Sequence, residues 1–355
     1  MSAMRLTVAL ALLLAALPRP VFALEPELQD QAEVSAVSRL EPPVPLGRLD
    51  GSVVPARYRL DLTIDPAKER FAGKAEIDAV LARPSRTIDL HGRGLAVRDI
   101  YAVANGIRRA GTWEQLNTTG AARIRFADPL PAGPATLFFT YEAPFNDGPS
   151  GLFRVNVGGE WYVWSQFQSI DARSVFPSFD EPSFKTPFAV TLRTPEGLTA
   201  ISNSPQIEAV SDGKSTLHRY APTLPLPTYL VAMMVGPFTA VESVVAPSPQ
   251  RSEPLPLRIV STAQNEGKLD FALAGSQEIV RLLEDYFGDA FPYPKLDQIT
   301  SPVMPGAMEN AGADLYRDGL IVMDARAPVS QQRRFGMVVA HELGHQWFGD
   351  LVTPA

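Results

Sequence analysis

Two histidines and a glutamate near the end of the chain have a spacing that suits a shared metal ion. The segment HELGHQWFGDLVTPA, residues 341–355, places His341 and His345 four positions apart, with Glu342 beside the first. Residues four apart on a helix lie on one face, so both imidazoles can bind the same ion. Glu342 lies one step round the helix, where its carboxylate can take a proton from a water molecule that the metal activates. The spacing therefore predicts zinc bound by His341 and His345, with Glu342 as a general base.

The motif supplies only two of the three protein ligands that a catalytic zinc normally has. Asp350 lies beyond Gly349, where we expect the helix to have ended, so Asp350 is a possible but not a favoured third ligand. The remaining histidines, His91 and His218, are isolated in strand or turn sequence, and we assign them no role. The origin of the third ligand is therefore open at this point.

A second segment that could carry chemistry is GAMEN, residues 306–310, where Glu309 stands in an apolar stretch. Composition alone favours an ordinary loop glutamate that faces solvent. The alternative is a carboxylate that pairs with a cation, and for a zinc peptidase the obvious cation is the free α-amine of a peptide. Such a group would restrict cleavage to the N-terminal residue of a substrate.

Composition excludes several classes of protein. The chain has 355 residues, enough for two domains, and 45% hydrophobic residues, as in an ordinary globular protein. It has no cysteine, which excludes disulfides and cysteine-ligated metal sites. Its net charge of −7 gives no basic surface for nucleic acid, so we expect no nucleic-acid partner.

The first 23 residues resemble a secretory signal peptide. Arg5 precedes an apolar run over residues 6–17, and the small residues Val21 and Ala23 precede a cleavage site before Leu24. The run is shorter than the roughly 20 residues that cross a membrane, although an uncleaved anchor is the alternative. We predict a cleaved signal over 1–23, a linker over 24–46, a secreted or periplasmic protein, and no membrane span after cleavage.

The rest of the chain divides by the period of its hydrophobic pattern. From residue 58 to about residue 245, short segments alternate apolar and polar positions between Gly, Pro, Asn and Asp, which predicts one all-β domain, a sandwich or saddle, over 47–250. After the proline-rich segment 246–256 the period becomes helical. We predict helices within 268–288 and 331–349 and two or three strands, so the fold class is α+β with a second, α/β domain over 251–355.

GAMEN followed by HELGHQWFGDLVT resembles the aminopeptidase N family of zinc exopeptidases, the gluzincins. Residues 165–192 and 284–299 are also similar to segments of that family, and the resemblance spans roughly 50–355. It implies a saddle-like β-domain followed by a thermolysin-like catalytic domain, and peptides with a free N-terminus as substrates. It does not give the preferred N-terminal residue, the oligomeric state or the biological substrate.

The resemblance also assigns roles to individual residues. His341 and His345 match zinc ligands, and Glu342 matches the general base. Glu309 matches the group that binds the substrate amine, and Gln166 and Gln168 match a pair from the β-domain that reaches the active site. Gln168 would offer a carbonyl oxygen to the amine where some relatives have a carboxylate. The other members of the substrate-binding segment are Gly306, Ala307, Met308 and Asn310, with Ala307 and Met308 lining the pocket.

The resemblance further implies that the third zinc ligand is a glutamate on the next helix, beyond the C-terminus of this chain. We therefore expect the sequence to be the N-terminal part of a larger enzyme, with a truncated catalytic domain. The alternative is a non-catalytic fragment or binding module that lacks the third ligand. A relative of the epoxide-hydrolysing member of the family is a third, less favoured reading.

Overall fold

The structure is a computed structural model that describes residues 42–353. The predicted signal peptide and most of the predicted linker lie outside the described residues. None of the helices within residues 42–353 has both the length and the hydrophobicity that a membrane span requires.

Nineteen strands form three sheets in the described part of the chain. In chain order the strands are β1 (Val53–Thr63), β2 (Arg70–Leu81), β3 (Ser85–His91), β4 (Ala96–Ala104), β5 (Ile107–Gln115), β6 (Ala121–Leu130), β7 (Gly133–Pro144), β8 (Gly151–Val157), β9 (Glu160–Gln166), β10 (Phe188–Pro195), β11 (Thr199–Ser202), β12 (Gln206–Ser211), β13 (Ser215–Tyr220), β14 (Met233–Gly236), β15 (Phe238–Val245), β16 (Leu255–Thr262), β17 (Leu296–Ser301), β18 (Ala307–Met308) and β19 (Ala313–Arg317).

The largest sheet has ten strands in the order β12-β13-β10-β1-β2-β7-β4-β5-β6-β3. Most neighbours are antiparallel, while β1 and β10 pair in parallel. Buried and exposed side chains alternate along β2 and β7, as the period-two pattern predicts for a sheet with one face in the core. Between residues 53 and 262 the structure has no α-helix, which confirms that part of the prediction.

The second sheet has four strands in the order β11-β14-β9-β8 and is largely buried. All four residues of β14 are buried, and so are the central residues of β9. Trp164 of β9 donates from its indole N–H to the carbonyl of Thr300, 3.1 Å away at the end of β17. This sheet therefore brings the end of β9, with Gln166, next to the sheet that follows.

The third sheet has the order β15-β16-β17-β19-β18. Its three central strands are parallel, and all six residues of β17 are buried, as expected for a strand covered on both faces. The sheet has five strands where we expected two or three, because β15 pairs with β16 across the proline-rich segment and because GAMEN contributes the short β18. The exact domain boundary near residue 250 stays a prediction.

Within residues 42–353, three α-helices accompany the third sheet, namely α1 (Asp270–Phe287), α2 (Asp318–Ile321) and α3 (Val329–His345). α1 and α3 confirm the two predicted helices. Gly288, directly after the last residue of α1, has a φ of 69° and terminates that helix. The two long helices pack closely, since a Cβ added at Gly275 of α1 would lie 2.6 Å from the ring of Phe335 in α3. This packing fixes α3, which carries the histidine pair.

Candidate active site

The histidine pair lies at the C-terminal end of α3. The Nε2 atoms of His341 and His345 are 3.2 Å apart, and the ring planes are nearly perpendicular. His341 is exposed and His345 is half-buried, so both rings can be reached from outside. The four-residue spacing therefore brings both imidazoles to one point, as the sequence predicted.

The geometry of this pair fits two ligands of one zinc ion. Two ligands of a tetrahedral zinc with bonds of about 2.0–2.1 Å lie roughly 3.3 Å apart. The Nδ1 of His345 is 3.1 Å from the carbonyl oxygen of Phe348. Because a carbonyl only accepts, Nδ1 carries the proton, and the lone pair on Nε2 faces His341. A histidine ligand held through its other nitrogen is the usual arrangement at zinc sites.

A third protein ligand is not found among residues 42–353. No group of three or more His, Cys, Asp or Glu side chains in that range is placed to hold a metal ion. The carboxyl of Asp350 is fully buried, and neither of its oxygens has a hydrogen-bond partner among the described residues. Among the described residues, it therefore does not form a ligand cluster with the histidine pair.

Glu342 is buried beside the pair, with 6% of its surface exposed. Burial raises the pKa of Glu342 to about 7, and the negative charge of Glu309 adds to the increase. A carboxyl group that titrates near neutral pH suits general acid–base work, which requires both taking up and releasing a proton. The coupling to Glu309 also means that the two carboxyl groups lie in one site.

Glu309 follows β18 and is 7% exposed. The amide nitrogen of Gln168 donates to Oε1 of Glu309 at 3.2 Å, across 141 residues of sequence. The structure therefore brings the loop after β9 to the GAMEN segment. This hydrogen bond uses the amide nitrogen of Gln168. The carbonyl oxygen of the same amide, which is the atom predicted to face the substrate amine, can still accept from another donor.

Two of the predicted substrate-binding residues, Gln166 and Asn310, have polar side-chain atoms without partners among the described residues. Oε1 of Gln166 is buried without one, and so are both Nδ2 and Oδ1 of Asn310. Buried amides normally form hydrogen bonds, so unpaired ones at a site are suited to meeting a ligand. Their roles in substrate binding stay predictions.

At the edge of the third sheet, the first three residues of GAMEN, 306–308, form hydrogen bonds or strand pairs with β19. The carbonyl of Gly306 accepts from the amide of Arg317 at 2.8 Å, and Ala307 and Met308 pair with β19. Met308 has no exposed surface, whereas Ala307 is half-buried. Of the two predicted lining side chains, only that of Ala307 therefore has surface from which to contact a substrate in this conformation.

Gln346 was not identified from the sequence, although it joins the two halves of the site. It is fully buried. Its amide nitrogen donates to the carbonyl of Glu309 at 3.2 Å and to Asp314 at 2.8 Å, and its Oε1 accepts from the amide of Gly312 at 2.9 Å. The only signal in the sequence is an uncharged polar residue in the run after His345.

Asp314 is the buried carboxyl at the centre of this network. Burial raises its pKa well above the usual value, and the negative charge of Glu342 adds to that increase. Tyr316 donates to Asp314 at 3.0 Å, and Gln298 donates to the hydroxyl of Tyr316 at 3.1 Å. The network connects α3 to the third sheet, and so it fixes Glu309 relative to the histidine pair.

Comparison with known proteins found two matching family profiles. The Peptidase M1 N-terminal domain matches residues 54–230, and the Peptidase family M1 domain matches residues 271–355. Aminopeptidase M1-A of Oryza sativa subsp. japonica is 32% identical over 322 residues, which cover 86% of this chain and 35% of the relative. Aminopeptidase M1 of Arabidopsis thaliana is 32% identical over 317 residues, with 86% and 35% covered.

Aminopeptidase N of Acetobacter pasteurianus is 30% identical over 316 residues, which cover 86% of this chain and 86% of the relative. The chain thus spans about a third of the length of the plant relatives and most of the length of the bacterial one.

Proposed function

The chain belongs to peptidase family M1, and from this premise we propose that it is a zinc-dependent aminopeptidase that releases N-terminal amino acids from peptides. The observation that carries the proposal is the joint position of two carboxyl groups and two imidazoles. Gln346, directly after His345, donates to the carbonyl of Glu309 at 3.2 Å, and the charge of Glu309 raises the pKa of Glu342. A carboxylate that can bind an amine thus lies next to the residues that can cleave an amide.

His341 and His345 are the residues that would hold the zinc ion. When bound there, zinc supplies a Lewis acid that polarises a carbonyl oxygen and lowers the pKa of a coordinated water to about 7. The Nδ1–H of His345 donates a hydrogen bond to the carbonyl of Phe348, so the lone pair on Nε2 remains available to bind the metal.

Glu342 moves the proton in the proposed reaction. Its carboxylate takes a proton from the attacking water and then gives it to the nitrogen of the leaving peptide. Burial raises the pKa of Glu342, which makes this carboxylate a better proton acceptor than a solvent-exposed one. Removal of this carboxyl group should therefore strongly reduce turnover while leaving both imidazoles in place.

Glu309 binds the free α-amine of the substrate in this proposal. An ammonium group paired with a largely buried carboxylate is held in one place, and a blocked N-terminus leaves the carboxylate without a partner. Gln168 donates to Glu309 through its nitrogen at 3.2 Å and can accept from the same ammonium through its oxygen. The unpaired amide oxygen of Gln166 and the unpaired amide group of Asn310 bind the substrate backbone in this proposal.

A secreted or periplasmic location is expected from the sequence alone. The predicted signal peptide, and with it a secreted or periplasmic location, depends on residues outside the described range. Peptides with a free N-terminus are the proposed partners.

The experiment that tests the proposal compares the wild-type chain with Glu342→Gln in the presence of Zn(II). Both are incubated with a mixture of unblocked peptides, and released amino acids are quantified. We expect the variant to bind Zn(II) as the wild type does and to lose a factor of roughly 10²–10⁴ in turnover, the usual contribution of a general base. Equal release of amino acids by two active proteins would overturn the assignment of Glu342.

A second candidate function is a non-catalytic module that binds peptide N-termini. The observation that favours it is that residues 42–353 hold no group of three metal-ligating side chains, although Glu309 and its neighbours are in place. Absence of any released amino acid in the assay, together with binding of unblocked peptides, would favour this second function over the first.

A further inference from the structure

The turn that follows α3 is in direct contact with the His345 ring. Its backbone amides donate to the last carbonyls of the helix, from Asp350 to His345 at 3.0 Å and from Leu351 to Gln346 at 3.2 Å. The carbonyl of Phe348 accepts from Nδ1 of His345. A Cβ added at Gly349 would lie 3.0 Å from that same nitrogen. The ring is thus in contact with the turn on its Nδ1 side, and a displaced turn would displace the ring.

Lys185, which is distant in sequence, forms hydrogen bonds with this turn. Its ammonium donates to the carbonyl of Asp350 at 2.9 Å and to that of Leu351 at 3.0 Å. Lys185 lies in the loop between β9 and β10, and 165 residues separate it from Asp350. A cation at this place also complements the partial negative charge at the C-terminal end of α3.

Tyr229 holds the same turn at a second point. Its hydroxyl donates to the carbonyl of Gly349 at 3.3 Å, and the side chain is buried. Burial raises the pKa of Tyr229, and the negative charge of Asp350 adds to the increase, so the phenol stays protonated and keeps its hydrogen bond. Three successive carbonyls of the turn, at Gly349, Asp350 and Leu351, therefore accept from two distant side chains.

From these contacts we propose that Lys185 and Tyr229 are positioning residues for His345. They hold the turn in the form that places the Phe348 carbonyl on Nδ1, and so they set how tightly the histidine pair binds metal. The hydrogen bonds of both side chains go to carbonyls of the turn and not to the ring of either histidine. The inference rests on the proposed function, because it takes His341 and His345 as the zinc ligands.

The alternative is that Lys185 is only an anchor for its loop, and the two roles predict different results. Lys185 is half-buried, and its bond to Leu351 is exposed, so water can hydrate the freed carbonyls and the fold should survive the loss of the ammonium. A mere anchor would leave the tautomer of His345 and the zinc affinity unchanged. A positioning residue would change both.

The test uses Lys185→Met, which keeps the aliphatic stem without donors, Lys185→Arg, which restores donors, and Tyr229→Phe. Lys214→Met is the matched control, because Lys214 is exposed in the turn between β12 and β13. The dissociation constant for Zn(II) is measured on the 355-residue chain by competition with a chromophoric chelator. We expect Lys185→Met to bind about tenfold more weakly, within the range for groups that orient a ligand. Lys185→Arg should recover most of the loss, and the control should match the wild type.

A second measurement needs no metal. Nitrogen-15 NMR of the imidazoles reports which ring nitrogen carries the proton, and the chain has four histidines, which permits assignment by single substitutions. We expect the wild-type His345 to be protonated at Nδ1 and the Lys185→Met and Tyr229→Phe variants to lose that preference. The proposal is overturned if both variants keep the wild-type tautomer and the wild-type affinity.

His345→Gln separates this inference from the proposed function. If His345→Gln binds Zn(II) as tightly as the wild type, the zinc site itself is wrong, and the NMR result still decides whether Lys185 and Tyr229 orient the ring. If His345→Gln loses zinc and Lys185→Met does not, only the positioning inference fails.

Discussion

Histidine serves two purposes in this chain, and the direction of its hydrogen bonds distinguishes them. Nδ1 of His345 donates to a carbonyl, which leaves Nε2 free for a ligand. Nδ1 of His91 instead accepts from the backbone amide of Asp180 at 3.1 Å, inside the β-domain. His91 is 2% exposed and near the buried pair of Arg173 and Asp180. It is therefore a structural residue that must stay neutral.

This environment makes His91 a source of pH-dependent stability. Burial, together with the positive charge of the nearby Arg173, lowers its pKa to about 3. The unfolded chain takes up a proton on this side chain near pH 6.5, while the folded chain does not, so stability falls as the pH falls from about 6.5 towards 3. At pH 5 the loss is roughly 2 kcal/mol relative to pH 8.

The measurement is the free energy of unfolding against pH for the wild type and for His91→Asn, which keeps an acceptor near Nδ1 but does not titrate. We expect the variant to be less stable at pH 8 and to lose less stability on acidification. Parallel curves for the two proteins would contradict the account of His91.

At the scale of the elements, the site depends on how α3 meets the GAMEN segment. Local patterns predicted α1 and α3, and the position of the histidine pair followed from spacing on one helix. The contact of Gln168 with Glu309 joins residues 141 apart, and that of Lys185 with Asp350 joins residues 165 apart. No local pattern contains such contacts. Composition alone favoured a solvent-facing loop residue at Glu309, and the family resemblance decided for the amine-binding alternative. Gln346 was missed because an uncharged amide carries no motif of its own.

Gln346→Met tests the junction between these elements. Methionine fills a similar volume, but the amide of Gly312 loses its acceptor and Asp314 loses a donor. Each buried group left without a partner costs about 1–3 kcal/mol, so we expect the free energy of unfolding to fall by roughly 2–5 kcal/mol. The measurement is urea-induced unfolding.

Gln332→Met is the matched control, since Gln332 lies on the same helix and donates only to carbonyls near the start of α3. It should change stability by less than about 1 kcal/mol. Similar losses for the two variants would mean that the Gln346 network does not join the elements as described.

At the scale of the whole described chain, a buried cation joins two sheets. Lys295 donates to the carbonyl of Ser202 in β11 at 2.7 Å, to Asp297 in β17 at 2.8 Å and to the carbonyl of Gly312 at 2.8 Å. Arg258 of β16 binds the same Asp297 through two hydrogen bonds of 2.7 Å. Burial lowers the pKa of Lys295, and the charge of Asp297 opposes that decrease. All three ammonium hydrogens are used, so the contact depends on the relative position of the sheets.

Lys295→Met should therefore destabilise the molecule strongly. It removes one partner of a buried ion pair, for which the typical loss is roughly 3–5 kcal/mol. Lys74→Met on the exposed face of β2 is the control and should change the free energy of unfolding by less than about 0.5 kcal/mol. A loss below 1 kcal/mol for Lys295→Met, measured by denaturant unfolding, would contradict the assigned role.

The measurement that tests the central claim most directly compares peptides with their N-acetylated twins, for the wild type and for Glu309→Ala. If Glu309 binds the substrate amine, the wild type releases the first residue of free peptides and does not cleave the acetylated ones. Glu309→Ala should then lose a factor of roughly 10² in kcat/KM on free peptides, since about 3 kcal/mol of binding is removed. Equal cleavage of free and acetylated peptides by the wild type would contradict the claim that this site is that of an aminopeptidase.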